Sequence, residues 1–197
     1  LNGGSKILAL VSNDIEVDSL ATEAEGLIVL DETPFYAESG GQVGDLGRIS
    51  WSGGEFQVTD VRYLAHKVIA HFGRVVSGAP KLGDSVECVV DSNNRSATAA
   101  NHSATHLLHS ALREVLGDHV QQKGSMVNAE RLRFDFSHGE AVSSADIDKI
   151  EQIVNHQIRI NSGVNTRVMN IDDAREEGAA ALFGERYEDD VRVVGMG

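Results

Sequence analysis

The strongest constraint on the fold is a break in pattern at Asp91-Ser-Asn-Asn94. Upstream, short apolar runs alternate with glycine and polar turns, the pattern of strands. Downstream, apolar residues recur at helical spacing, and the polar cluster supplies a cap for the first helix. Strands followed by helices make an α+β protein. The predicted division is a small glycine-rich β-barrel over residues 1–90, followed by a two-layer α/β core over 91–197.

The first part holds strand-length runs at 6–11, 26–30, 48–51, 55–59, 67–71 and 85–90, with Ser52-Gly53-Gly54 as a hairpin turn. Many short strands with glycine turns suggest a barrel. Val86, Cys88 and Val90 share one strand face, which makes Cys88 a small core residue rather than a ligand. Four of the chain's 20 glycines, Gly40, Gly41, Gly44 and Gly47, crowd into eight positions. Such a loop is either a structural connection or a place where backbone approaches a ligand. On the second reading Thr33, Ser39 and Gln42 line a pocket.

The helix predicted after the break runs to about 116, with Gly117 as its C′ residue. Within it, Asn101-His-Ser-Ala-Thr-His106 places two imidazoles four residues apart on one helical face. Ala104, Leu108, Ala111, Leu112 and Val115 fall on the other side, so His102, His106, His109 and Arg113 occupy the polar face. That face is either solvated or the wall of a cleft, and His109 reads as solvated. The His-x3-His spacing alone is a weak metal signal. Ser103 stands where a metalloprotease needs its glutamate, so that chemistry is excluded. Strands are predicted at 120–127 and 131–136. A helix opened by Ser143 and burying Ile147, Ile150, Val154 and Ile158 stops near Asn161. A strand over 164–169, a short helix over 172–177 closed by Gly178, and a last strand over 192–194 complete the α/β part.

The net charge of −13, from 17 basic and 30 acidic residues, argues against a stand-alone nucleic-acid binder and against DNA. A nucleic-acid substrate requires grip from elsewhere. The single cysteine excludes an internal disulfide and suits a reducing compartment. No apolar run is long enough to span a bilayer, so no membrane partner is expected and the expected location is cytoplasmic. Gln121, Gln122 and Lys123 at a strand end are ordinary solvated residues on local grounds, and Arg95 is free to meet phosphate or nothing.

Five motifs together resemble the editing domain of alanyl-tRNA synthetases. They are Thr33-Pro-Phe-Tyr-Ala-Glu-Ser-Gly-Gly-Gln-Val-Gly-Asp45, Asn101-His-Ser-Ala-Thr-His-Leu-Leu-His109, Gln122-Lys-Gly-Ser125, Leu132-Arg-Phe-Asp-Phe-Ser-His138 and Ala181-Leu-Phe-Gly-Glu-Arg-Tyr187. The resemblance covers nearly the whole chain. It implies a glycine-rich barrel with an α/β editing core, and hydrolysis of the ester of tRNA(Ala) mischarged with serine or glycine. Alanine lies between these two in size, so one synthetic pocket cannot reject both by volume.

The resemblance also assigns roles. His102 and His106 become zinc ligands, to be completed by a Cys-x3-His pair that would follow Val191-Arg-Val-Val-Gly-Met-Gly197. That pair is missing from this chain, so weak zinc binding and poor deacylation are expected of it alone. Gln122 would orient the ester or the water, and Thr33 would recognise the serine hydroxyl. Gly40, Gly41, Gln42, Arg95 and Lys123 would contact the substrate. The implied partners are the acceptor end of mischarged tRNA(Ala) and the rest of a longer synthetase, within which both ends of this chain look like cuts. ATP and Mg2+ would belong only to that synthetase's aminoacylation domain. The rival reading is a non-catalytic module that binds the tRNA acceptor end or is purely structural.

Overall fold

The computed structural model describes residues 2–64, 68–177 and 189–196. Lys67, Gly178 and the motif over 181–187 lie outside the described residues. The chain divides into two compact units, Leu1–His102 with Ser125–Leu132, and Ser103–Gly124 with Arg133–Gly197.

The first unit contains the expected barrel. Its strands are β1 (Asn2–Ser12), β2 (Ile15–Glu16), β3 (Glu25–Leu30), β4 (Gly47–Trp51), β5 (Gly54–Tyr63), β6 (Ile69–Ser77) and β7 (Ser85–Val90). The order β1-β3-β6-β5-β4-β7 closes on itself because β7 also pairs with β1, leaving the two-residue β2 as an appendage. Strand β1 makes the closure possible by serving two neighbours. Asn2 to Lys6 pair with β7, and Ile7 to Val11 pair with β3 across a bulge. Closure removes the exposed edges that an open sheet of this size would present. The lumen is filled by Ile7, Leu10, Ile28, Ile49, Phe56, Val58, Val61, Val75, Val86, Cys88 and Val90. A side chain of this kind contributes roughly 1.5–3 kcal/mol on burial. Cys88 is a core residue, and burial, with the nearby charges of Asp31 and Glu87, pushes its thiol up to about 11.

Helix α1 (Ser92–Leu116) opens as the polar cluster predicts. The Asp91 carboxylate accepts the N–H groups of Asn93 and Asn94 at 3.0 Å each. Gly117, at φ 112°, closes the helix.

In the second unit, Ala111, Leu112, Val120 and Ile150 form the core, with Leu108, Val115, Phe134, Phe136, Ile153 and Val154 packed around them. Strands β8 (Gln122–Val127) and β9 (Leu132–Phe136) form one two-stranded sheet, and β10 (Val164–Asn170) and β11 (Asp190–Met196) another. Helix α3 (Ile171–Glu176) lies between the last two strands in sequence.

Helix α2 (Ser144–Ile160) starts at Ser143, whose Oγ accepts the Asp146 N–H, and ends at Asn161 in the left-handed region. Its buried face differs from the predicted one. Ile150 is buried, but Ile147 and Ile158 are 45% and 51% exposed. At about 100° per residue, Ile153 pulls the centre of the packed face away from Ile147 and Ile158, which also sit at the helix ends.

Candidate functional site

The glycine loop is a tight turn with a defined job in the first unit. Ser39 and Gln42 exchange backbone hydrogen bonds at 3.1 and 3.0 Å. The two residues between them, Gly40 and Gly41, take φ values of 57° and 82°. Two central residues at positive φ are what a type I′ turn requires. The turn is held against the end of β8, where Val127 N–H donates to the Gly41 carbonyl and Val43 N–H to the Val127 carbonyl. The side chain of Gln42 is thereby carried to helix α1. Its Oε1 lies 2.6 Å from Nδ1 of His102. An amide oxygen only accepts, so Nδ1 carries a proton, and in the neutral ring Nε2 then carries the lone pair. Burial lowers the His102 pKa, which favours that neutral ring. A neutral imidazole with one nitrogen anchored by a hydrogen bond is the form that ligates metal.

His106 lies one turn further along α1 and is exposed. His109 departs from the solvated reading. It packs on Phe134 with ring centroids 5.1 Å apart, and its Nε2 is buried without a hydrogen-bond partner. Among the described residues, no group of three or more His, Cys, Asp or Glu side chains is placed to hold a metal ion. The described residues therefore do not by themselves complete a zinc site.

Thr33, at the head of the glycine loop, is half-buried, and its hydroxyl lies 2.7 Å from Nε2 of His71. Sequence reading did not single out His71. Its only signal is a polar residue inside an otherwise apolar strand. Arg95 is not an open cation. Its guanidinium is paired with Asp45 and donates to the Pro34 carbonyl at 3.1 Å. Asp45 is buried and also accepts the Tyr36 N–H at 2.6 Å. The pair therefore ties α1 to the glycine loop. Gln122 and Lys123 open strand β8 in the second unit, the first half-buried and the second exposed.

A cleft of about 420 Å³ in the first unit is lined by Glu38, Val43, Gly44, Thr59, Asp60, Arg62 and Glu130, among others. It contains none of the catalytic, substrate-binding or metal-binding candidates named from sequence. Its carboxylates outnumber its one arginine, and Arg62 is already paired with Asp60. That charge balance repels phosphate.

Residues 1–94 match the family model described as tRNA synthetases class II (A). The whole chain is 52% identical to the alanine–tRNA ligase of Saccharophagus degradans and spans 22% of that protein. Over 97% of its length it is 53% identical to the alanine–tRNA ligase of Rhodopseudomonas palustris, again 22% of the relative. The chain spans about a fifth of the length of the curated relatives it matches, and over that span it is similar to alanine–tRNA ligases.

Proposed function

We propose that this chain is the editing segment of an alanine–tRNA ligase, hydrolysing the aminoacyl ester of tRNA(Ala) mischarged with serine or glycine. One observation carries the reading. The glycine loop and the histidine helix, 60 residues apart in sequence, meet through the Gln42–His102 hydrogen bond. A structural loop has no need to orient an imidazole, whereas a ligand histidine does.

In this reading residues 1–90 are a barrel subdomain and 91–197 belong to a two-layer α/β editing core. The reaction is attack of water on the ester carbonyl. Gln122 orients the ester or the water through its amide. Gly40, Gly41 and Gln42 present backbone and amide groups to the substrate, Lys123 meets its phosphate, and Arg95 shapes the loop that contacts it. His102 and His106 would hold a zinc ion together with further ligands, and such an ion supplies positive charge to a water or to the substrate amino group. The wider protein would carry ATP and Mg2+ chemistry in its aminoacylation domain, act in the cytoplasm and grip the tRNA with its other regions. The acidity of this segment agrees with a grip supplied elsewhere.

The test is release of amino acid from Ser-tRNA(Ala) and Gly-tRNA(Ala) by the full-length ligase under single-turnover conditions. Both esters are hydrolysed and Ala-tRNA(Ala) is spared. Gln122→Ala slows the hydrolysis while leaving aminoacylation intact. A ligase that releases neither amino acid is a binding module in this region, and the editing reading is then wrong.

A further inference from the structure

Four groups in the barrel form one hydrogen-bonded chain. His71 Nδ1 lies 2.9 Å from the Ile28 carbonyl, and His71 Nε2 lies 2.7 Å from the Thr33 hydroxyl. The Thr33 Oγ1 also accepts the Phe35 N–H at 3.2 Å. Ile28 and His71 are directly opposed in the β3–β6 pairing, so the ring is aimed by strand register. Phe35 packs against it edge-on, with centroids 5.2 Å apart.

The chemistry of these partners fixes the direction of every bond. A carbonyl oxygen cannot donate, so Nδ1 bears the proton. His71 has no exposed surface, and burial pushes its pKa down, which keeps the ring neutral. Nε2 is then an acceptor, and the Thr33 hydroxyl must donate to it. A hydroxyl has one proton and two lone pairs. In Thr33 the proton goes to His71 and one lone pair to Phe35. One lone pair is left for anything that binds at the half-buried face of Thr33.

We infer that His71 is a positioning residue that commits the Thr33 hydroxyl to accept, so that Thr33 reads a hydrogen-bond donor on its ligand, the side-chain hydroxyl of a misattached serine. For its substrate this rests on the editing reading above. The glycine ester has no such hydroxyl and is indifferent to the arrangement. Without Nε2 as partner, the Thr33 hydroxyl turns freely between donor and acceptor roles, and the preorganisation that favours serine is lost.

Two measurements test this. The first is the imidazole nitrogen NMR spectrum of the 15N-labelled 197-residue chain at pH 7. It shows His71 as the neutral Nδ1–H tautomer, with Nε2 shifting when Thr33→Val removes its donor. An Nε2–H tautomer or an imidazolium overturns the inference whatever the enzyme does. The second is the ratio of Ser-tRNA(Ala) to Gly-tRNA(Ala) hydrolysis by the full-length ligase. His71→Asn keeps an amide near the Nδ1 position but nothing at Nε2, and lowers the ratio about 3- to 10-fold, the worth of one hydrogen bond. His71→Gln, which returns an amide acceptor toward the Nε2 position, restores much of it. Retained glycine release shows that the variants are folded. An unchanged ratio in His71→Asn, or equal loss for both esters, overturns the role. A wild-type ligase that hydrolyses neither ester defeats the editing reading and the serine assignment with it, while the tautomer still decides the hydrogen-bond geometry.

Discussion

Gln42 Oε1 accepts the Nδ1–H of His102 at 2.6 Å, and the turn that makes this possible is anchored on both sides of Gln42 by backbone bonds to Val127. The imidazole is thus aimed by a loop from the barrel rather than by its own helix. Gln42→Leu removes that anchor from Nδ1. In the full-length ligase this is expected to weaken zinc binding by about 10- to 100-fold, read by competition with a chromophoric chelator. An unchanged affinity would mean that Gln42 serves the loop and not the metal.

Gly40 and Gly41 are neighbours with different obligations. Both have positive φ, but a Cβ on Gly40 meets nothing within 4 Å, whereas one on Gly41 falls 2.5 Å from the Ser125 carbonyl oxygen. Gly40→Ala should cost only the left-handed strain, about 1 kcal/mol. Gly41→Ala adds a backbone clash and should cost on the order of 3 kcal/mol. Urea midpoints at constant m-value measure both. Equal costs would show that the loop moves away from β8 at little expense.

These two residues also mark what sequence could and could not reveal. The crowding of Gly40, Gly41, Gly44 and Gly47 announced a loop of unusual backbone, and the barrel strands were legible because apolar alternation and glycine turns are local signals. The caps at Asp91, Gly117 and Ser143 were legible for the same reason. What failed was tertiary. His109 looked solvated because its helix position is polar by periodicity, but Phe134, on a strand beyond the next turn, covers it. Ile147 and Ile158 looked buried because they fit the spacing, but the helix meets its core through Ile150, with Ile153 and Val154 packed beside it. Arg95 looked open to a phosphate because Asp45, its partner, lies 50 residues away. No local pattern encodes such a pairing, and the His71–Thr33 bond is of the same kind.

The Arg95–Asp45 pair yields a prediction that separates scaffold from substrate contact. The Asp45 side chain is 5% exposed and that of Arg95 is 23% exposed. Arg95→Met strands a buried carboxylate, and the expected loss of stability is about 3 kcal/mol. The double variant Arg95→Met with Asp45→Leu recovers part of that loss, because no charge is left unpaired. If Arg95 acts only as a scaffold, the double variant also recovers ester hydrolysis at temperatures where it is folded. A folded double variant with hydrolysis still depressed would assign Arg95 a direct contact with the tRNA.

Buried His71 and half-buried His109 both contribute to how stability depends on pH. Desolvation lowers the pKa of His71, opposed only by its bond to the Ile28 carbonyl. For His109 desolvation is again the leading cause, with a smaller opposing bond to Val120 and a contribution from the Arg113 charge. The unfolded chain titrates near the ordinary imidazole value of 6.5. Below that value the unfolded state binds more protons than the folded one, so acid favours unfolding. The contribution of these rings is complete above about 6.5 and declines as pH falls toward their lowered folded values, with a slope of at most about 1.4 kcal/mol per pH unit from His71. Asp31 acts in a separate window, since its pKa, lowered first by the Ser5 hydroxyl, matters only below the ordinary value of 3.8. Urea unfolding at pH 7.5 and pH 5 should therefore show a clear loss at the lower pH. His71→Asn, though less stable at pH 7.5, should lose less between the two. An equal loss in both proteins would mean that His71 is protonated in the folded barrel, which its carbonyl and hydroxyl partners on opposite nitrogens do not require but its complete burial opposes.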